Sequence, residues 1–285
     1  DVDFVDSLNG WALGWASDLR IWHTRTGGAI WENRDLPKGT WGLNDLLVFS
    51  RNSATAVGWG GAFLSTGDGG KYWSGATLTY GLAPSGNKGN TPYGNSAKGR
   101  ISSDLTAIAV VGDRFIWVTS RSGNVYQQGF TGWVVGRTGD DWSVRFGSES
   151  LYDVDFTDLA HGWAVGVDGT ILVWIHPFPY LRTQTSGATE HLYEVAFVDT
   201  LTGWAVGDHG TILHTVDGGI TWMPQISGTK RRLADVTFAD IHQGWAVGDK
   251  GTILHTADGG QSWTPAATPA RVNLTVVPPP PTPVV

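Results

Sequence analysis

A repeat of 41 residues constrains this chain more than any other feature. LYEVAFVDTLTGWAVGDHGTILHTVDGGITW (192–222) and LADVTFADIHQGWAVGDKGTILHTADGGQSW (233–263) align without a gap, and a third copy, LYDVDFTDLAHGWAVGVDGTILVW, begins at Leu151. Trp163, Trp204 and Trp245 therefore share one column. Counting the same twelve residues from a leading Leu finds weaker copies, from Leu105 to Trp117 and from Leu43 to Thr55, where Thr departs from Trp. A first copy, DVDFVDSLNGW, reaches Trp11, so six copies are recognisable, anchored at 11, 55, 117, 163, 204 and 245.

Each copy reads as β structure. EVAFVD, GWAVGD and TILHT are short alternating or β-branched runs separated by Gly and Asp-Gly pairs, and no stretch sustains a 3.6-residue apolar period. A period near 41 with about four short strands per unit marks propeller blades, stacked radially so that each buries its neighbour's face. The expected fold is all-β, a propeller of six four-stranded blades over residues 1–264, with boundaries near 1–42, 43–74, 105–150, 151–191, 192–232 and 233–264. Residues 75–104 form an insertion and 265–285 a Pro-rich tail. No seventh copy is found, although RVNLTVV (271–277) could add one closing strand.

Composition narrows the function. The formal charge is −7, against a general nucleic-acid binder, which needs a basic face. No run approaches the ~18 apolar residues of a membrane-spanning helix. Cys is absent, which removes disulfides, zinc knuckles and thiol chemistry. Asp1 rather than Met opens the sequence, reading as a processed or excised piece.

The string GWAVG-D-x-GTILHT-x-DGG-x-(T/S)W resembles the repeat of photosystem II stability/assembly factors and their bacterial relatives. The T-x-D-G-G-x-T-W within it is the Asp-box, or BNR repeat, also found in sialidases. The resemblance is strong over 151–264 and weak over 75–150. It implies an extracytoplasmic propeller, periplasmic, lumenal, cell-surface or secreted, that binds protein without cofactor or metal.

The Asp-box also has its own physical reading. An Asp accepts backbone hydrogen bonds at the turn, two glycines permit positive φ, and a Trp packs beneath. Asp68 with Trp73, Asp217 with Trp222 and Asp258 with Trp263 fit fully; Thr26 replaces the Asp in the first copy. Repetition on separate blades argues for a structural staple, because catalysis needs one converged site. His214 and His255 recur in the same way and read as strand residues rather than metal ligands.

Departures from the repeat are the candidate contact sites. Where copy five has its box, copy four has W-I-H-P-F-P-Y-L, placing Trp174, Phe178 and Tyr180 at a Pro-stiffened corner. That corner is either an exposed partner-binding patch or packing on its own blade. Residues 75–100 have no acidic residue and carry Tyr80, Lys88, Tyr93, Lys98 and Arg100, a basic loop that could bind a partner. Lys230, Arg231 and Arg232 form a second basic spot. Asp1, Asp45, Asp153, Glu194 and Asp235 occupy one column. Blade symmetry makes them an acidic ring that holds a cation or basic peptide, or else caps on the loops entering their own strands.

A glycosidase needs two carboxylates in different environments ~5–9 Å apart, and near-equivalent acids do not separate acid from base. No arginine triad of the sialidase kind can be mapped. The expected function is thus non-catalytic display of contacts to protein partners, a membrane-complex or cell-surface assembly among the candidates. A glycan-binding module or sialidase-like hydrolase is the alternative.

Overall fold

The computed structural model describes residues 2–15, 19–40, 42–77, 79–80, 99–100, 104–111, 115–122, 124–129, 143–146, 149–175 and 181–266. The β-branched and alternating runs form six four-stranded antiparallel sheets over 2–34, 43–77, 105–146, 151–184, 192–224 and 233–265, blades 1 to 6. In each, sequence order is spatial order, so every blade is a meander joined by tight turns. The second blade's outer strand, Ser74–Thr77, runs three residues into the stretch expected as insertion. Beyond it Thr79–Tyr80 and Gly99–Arg100 pair as a two-stranded ribbon. The 271–277 segment lies outside the described residues.

Val2–Phe4, Leu43–Ser50, Leu105–Val111, Leu151–Asp158, Leu192–Phe197 and Leu233–Phe238 are the innermost strands, surrounding a central channel of about 930 Å³. Where the repeat is strictest, one cassette joins adjacent blades. Trp163 of blade 4 stacks on Phe197 of blade 5, centroids 3.5 Å apart at 8°, and its Nε1 donates to Gly218 O at 3.0 Å. Gln184 ties the same seam, donating to Gly218 O and accepting from Trp222 Nε1. The next seam repeats it with Trp204, Phe238, Gly259, Gln225 and Trp263. Trp163 and Trp204 are buried by this packing, and each keeps its one polar atom bonded.

The seam from blade 6 to blade 1 departs from that plan. Trp245 is half-buried, and Ala266 stands where Gln184 and Gln225 stand. Phe4 of blade 1 keeps its edge-on contact with Trp31, 5.9 Å at 79°, but among the described residues no Trp stacks on it.

Candidate functional site

The turns divide between two faces. On one, Gly218 N–H donates to Leu201 O and Gly259 N–H to His242 O, so each Asp-box adjoins the turn after its blade's innermost strand. On the other, the turns Trp59–Gly61, Val167–Gly169, Asp208–Gly210 and Asp249–Gly251 bond the inter-blade connections, at the end of the channel where the innermost strands begin, the mouth face.

The boxes are internally satisfied. Thr215 Oγ1 accepts the N–H of Gly219 at 2.8 Å and of Asp217 at 3.3 Å. Asp217 accepts from the Thr221 amide and hydroxyl at 2.9 and 2.6 Å. Gly218 and Gly219 sit at φ 72° and 87°, which a side chain rarely adopts. Asp258 and Asp68 anchor equivalent turns, and in blade 1 the Thr26 hydroxyl takes the Ile30 N–H at 2.8 Å in place of a carboxylate. Trp73, Trp222 and Trp263 are buried, and the last two bond a glutamine of the preceding blade as well as packing under their own turn. His214 is a strand residue stacked 4.7 Å from Trp204, and His255 lies tilted 4.9 Å from Trp245.

The described members of the acidic column line the channel, and their bonds to amides run between blades as well as along their own strands. Asp45 Oδ2 accepts Ile108 N–H at 2.8 Å, and Asp153 Oδ2 accepts Val195 N–H at 2.9 Å, so each reaches the next blade's innermost strand rather than a loop of its own. Asp3 and Asp155, two residues further along their strands, repeat the device on Val48 and Phe197. Burial pushes Asp45 and Asp155 up to about 6 and Asp153 well above the ordinary range. Glu194, one methylene longer, accepts no hydrogen bond among the described residues, and burial followed by the charges of Asp153 and Asp235 raises it well above its usual value. Asp235 is buried beside it; Asp1 lies outside the described residues. Among the described residues no group of three or more His, Asp or Glu is placed to hold a metal ion.

The aromatic corner is corrected in part. Trp174 is buried, 6% exposed, and packs with Ala107, Leu151 and Leu172 between blades 3 and 4, because its strand position points it into the seam. Phe178 and Tyr180 lie outside the described residues. Of the basic loop, the Tyr80 and Arg100 backbones sit in the two-stranded ribbon, while Lys88, Tyr93 and Lys98 lie outside the described residues. Its ends, at Thr77 and at Asp104 (which accepts the Gly60 N–H at 3.0 Å), are on the channel-mouth face.

That face gathers groups the repeat alone did not flag. Tyr152 and Tyr193 stack across the seam of blades 4 and 5, centroids 5.2 Å apart, and Arg232 lies 5.0 Å over the Tyr193 ring. Tyr193 donates to Asp208 Oδ2 at 3.1 Å; burial and then Asp208 push its phenol up to about 12. Arg232 is bonded to Asp249, and His209 to Glu190 at 2.7 Å. Lys230, Arg231, Lys250 and the acid Asp168 remain exposed on this face, and Trp59, 51% exposed, lies against Gly42. His209 and Lys250 occupy the turn tips at φ 54° and 56°, a left-handed conformation that costs a side-chain-bearing residue about 1–2 kcal/mol. The signal available in sequence was the place where D-H-G and D-K-G stand between GWAVG and TILHT, outside any strand.

Comparison with known proteins fits this architecture. Residues 181–266 match the family described as photosynthesis system II assembly factor YCF48. No curated protein matches the chain. Among solved structures, YCF48 bound to D1 peptide superposes with a TM-score of 0.69 at 20% identity, over 94% of this chain and 81% of that one. YCF48 from Cyanidioschyzon merolae gives 0.66 at 19% identity, over 95% and 85%. The WD40 propeller domain of Doa1 gives 0.66 at 14% identity, over 95% and 82%. The chain is a β-propeller resembling the photosystem II assembly factors, with the YCF48 repeat itself matched over residues 181–266.

Proposed function

We propose that this propeller is a non-catalytic, extracytoplasmic protein-binding module, an assembly factor or resident subunit of a larger complex, whose partner lies across the channel mouth. The observation that carries the reading is the distribution of exposed cationic and aromatic groups. The channel acids Asp45, Asp153 and Asp155 are committed to backbone N–H groups of neighbouring blades, which argues against their serving as the acid and base of a glycosidase. The mouth, by contrast, presents Lys230, Lys250 and Trp59 exposed, with Arg231 reaching Lys250 O and Thr252 Oγ1 beside them. Exposed cations beside stacked tyrosines suit an acidic segment with an aromatic or apolar anchor. The carboxylates below oppose its entry into the channel, so it lies over the rim. The described ends of the basic insertion, at Thr77 and Asp104, are on the same face. The YCF48 relative bound to D1 peptide supports a protein partner for a propeller of this build.

The test is capture from the native extracytoplasmic fraction by wild type and by Lys230→Ser/Arg231→Ser/Lys250→Ser. The expected result is a defined protein partner, weakened by 0.3 M salt and lost about tenfold or more with the variant. Equal capture by the variant, or retention on a glycan array with no protein partner, would overturn the reading.

A further inference from the structure

The mouth face mixes Lys230, Arg231 and Lys250 with Asp168, Glu190, Asp208 and Asp249, whereas the opposite face is one-signed in blades 5 and 6. In blades 5 and 6 it is made of residues 198–202, 215–222, 239–243 and 256–262, none of which is Lys or Arg. It carries Asp199, Asp217, Asp240 and Asp258. The Thr221 hydroxyl and amide hold the Asp217 carboxyl below its usual range, the Gln243 and His242 amides do so for Asp240, and Ser262 takes Asp258 down to about 2. Aliphatic side chains stand among these ionised groups: Leu201 is 55% exposed, Val216 63%, Ile220 79% and Ile241 48%. The bond from Gly218 N–H to Leu201 O, 2.9 Å, joins the turn bearing Leu201 to the box bearing Val216 and Ile220, so these three share one corner.

We propose that this acid-rimmed aliphatic corner of blade 5 docks a cationic amphipathic segment of a second partner protein. The side chains are spare: the box is built by Thr215, Asp217 and the two glycines, and Val216 and Ile220 contribute nothing to its hydrogen bonds. Charge selects the occupant. An anionic bilayer meets four fixed carboxylates, and a second copy joined through the same corner by a two-fold axis brings like charges together. A segment with Lys or Arg flanking leucine-like anchors satisfies both the rim and the corner. With Lys230, Arg231 and Lys250 on the opposite face, the molecule becomes a bridge between two partners. The inference stands apart from the mouth reading, because it concerns other residues.

The probe is a fluorescein-labelled 14-residue peptide of Lys and Leu in helical amphipathic spacing, with matched peptides carrying Glu for Lys and Ser for Leu, read by fluorescence anisotropy. The expected result is binding of the Lys–Leu peptide by wild type and about tenfold weaker binding by Leu201→Ser/Val216→Ser/Ile220→Ser. Ile226→Ser, exposed on the mouth side, is expected to leave binding unchanged. All four positions are exposed, and an unchanged near-UV tryptophan spectrum verifies the fold. Undiminished binding by the triple variant, equal loss with Ile226→Ser, or equal binding of the Ser-for-Leu peptide would overturn the proposal. So would concentration-dependent self-association, or binding to phosphatidylglycerol vesicles, that the triple variant abolishes.

Discussion

At the scale of single residues, acidic side chains do two opposite things here. On the box face they are ionised caps, and their depressed carboxyls add stability above pH ~4 that is lost as pH falls toward 2. In the channel they are buried, and Asp155 is raised to about 6. Its folded state holds the proton more tightly than the unfolded chain, so its contribution is complete below pH ~4 and disappears as pH rises through 6. Asp155→Asn keeps an oxygen to accept the Phe197 N–H and cannot titrate. The variant is therefore expected to gain stability relative to wild type between pH ~4 and ~6, with no further change above 7, in urea unfolding followed across that range. A constant difference at every pH would contradict it. The column of acids was legible in sequence as a ring, but its partners were not. A carboxylate that bonds the neighbouring blade has the same spacing as one that caps its own loop.

At the scale of the element, the blade is defined by what it lends its neighbour. Trp204 is fully buried because Phe238 and Gly259 come from the next repeat. Trp204→Ala is expected to cost about 3–5 kcal/mol in denaturant unfolding. Trp245, half-buried at a seam without the stacking partner, is expected to cost roughly half that. Equal costs would mean that the two seams are packed alike. The periodicity made the blades and their strands readable, since a strand of period two between Gly-Asp turns leaves little freedom. Trp174 shows where that reading stops. In its blade the box is replaced, and the sequence offered no sign that the strand before it still turns this ring into the seam with blade 3. The turn tips at His209 and Lys250 lie between strands, where strand periodicity says nothing about a side chain's direction.

At the scale of the whole molecule, the exposed lysines and the box carboxylates of blades 5 and 6 lie on opposite faces. Lys230, Arg231 and Lys250 lie at the mouth, while Asp199, Asp217, Asp240 and Asp258 lie at the boxes. The net charge of −7 conceals that polarity, because composition averages over both faces. The measurement that bears most directly on the central claim is cross-linking mass spectrometry of the captured complex, with a reagent joining lysines to carboxylates. Links from a partner's acidic residues to Lys230 and Lys250 are what a channel-mouth module predicts. Links confined to other parts of the propeller, with those two lysines unmodified by the partner, would contradict it.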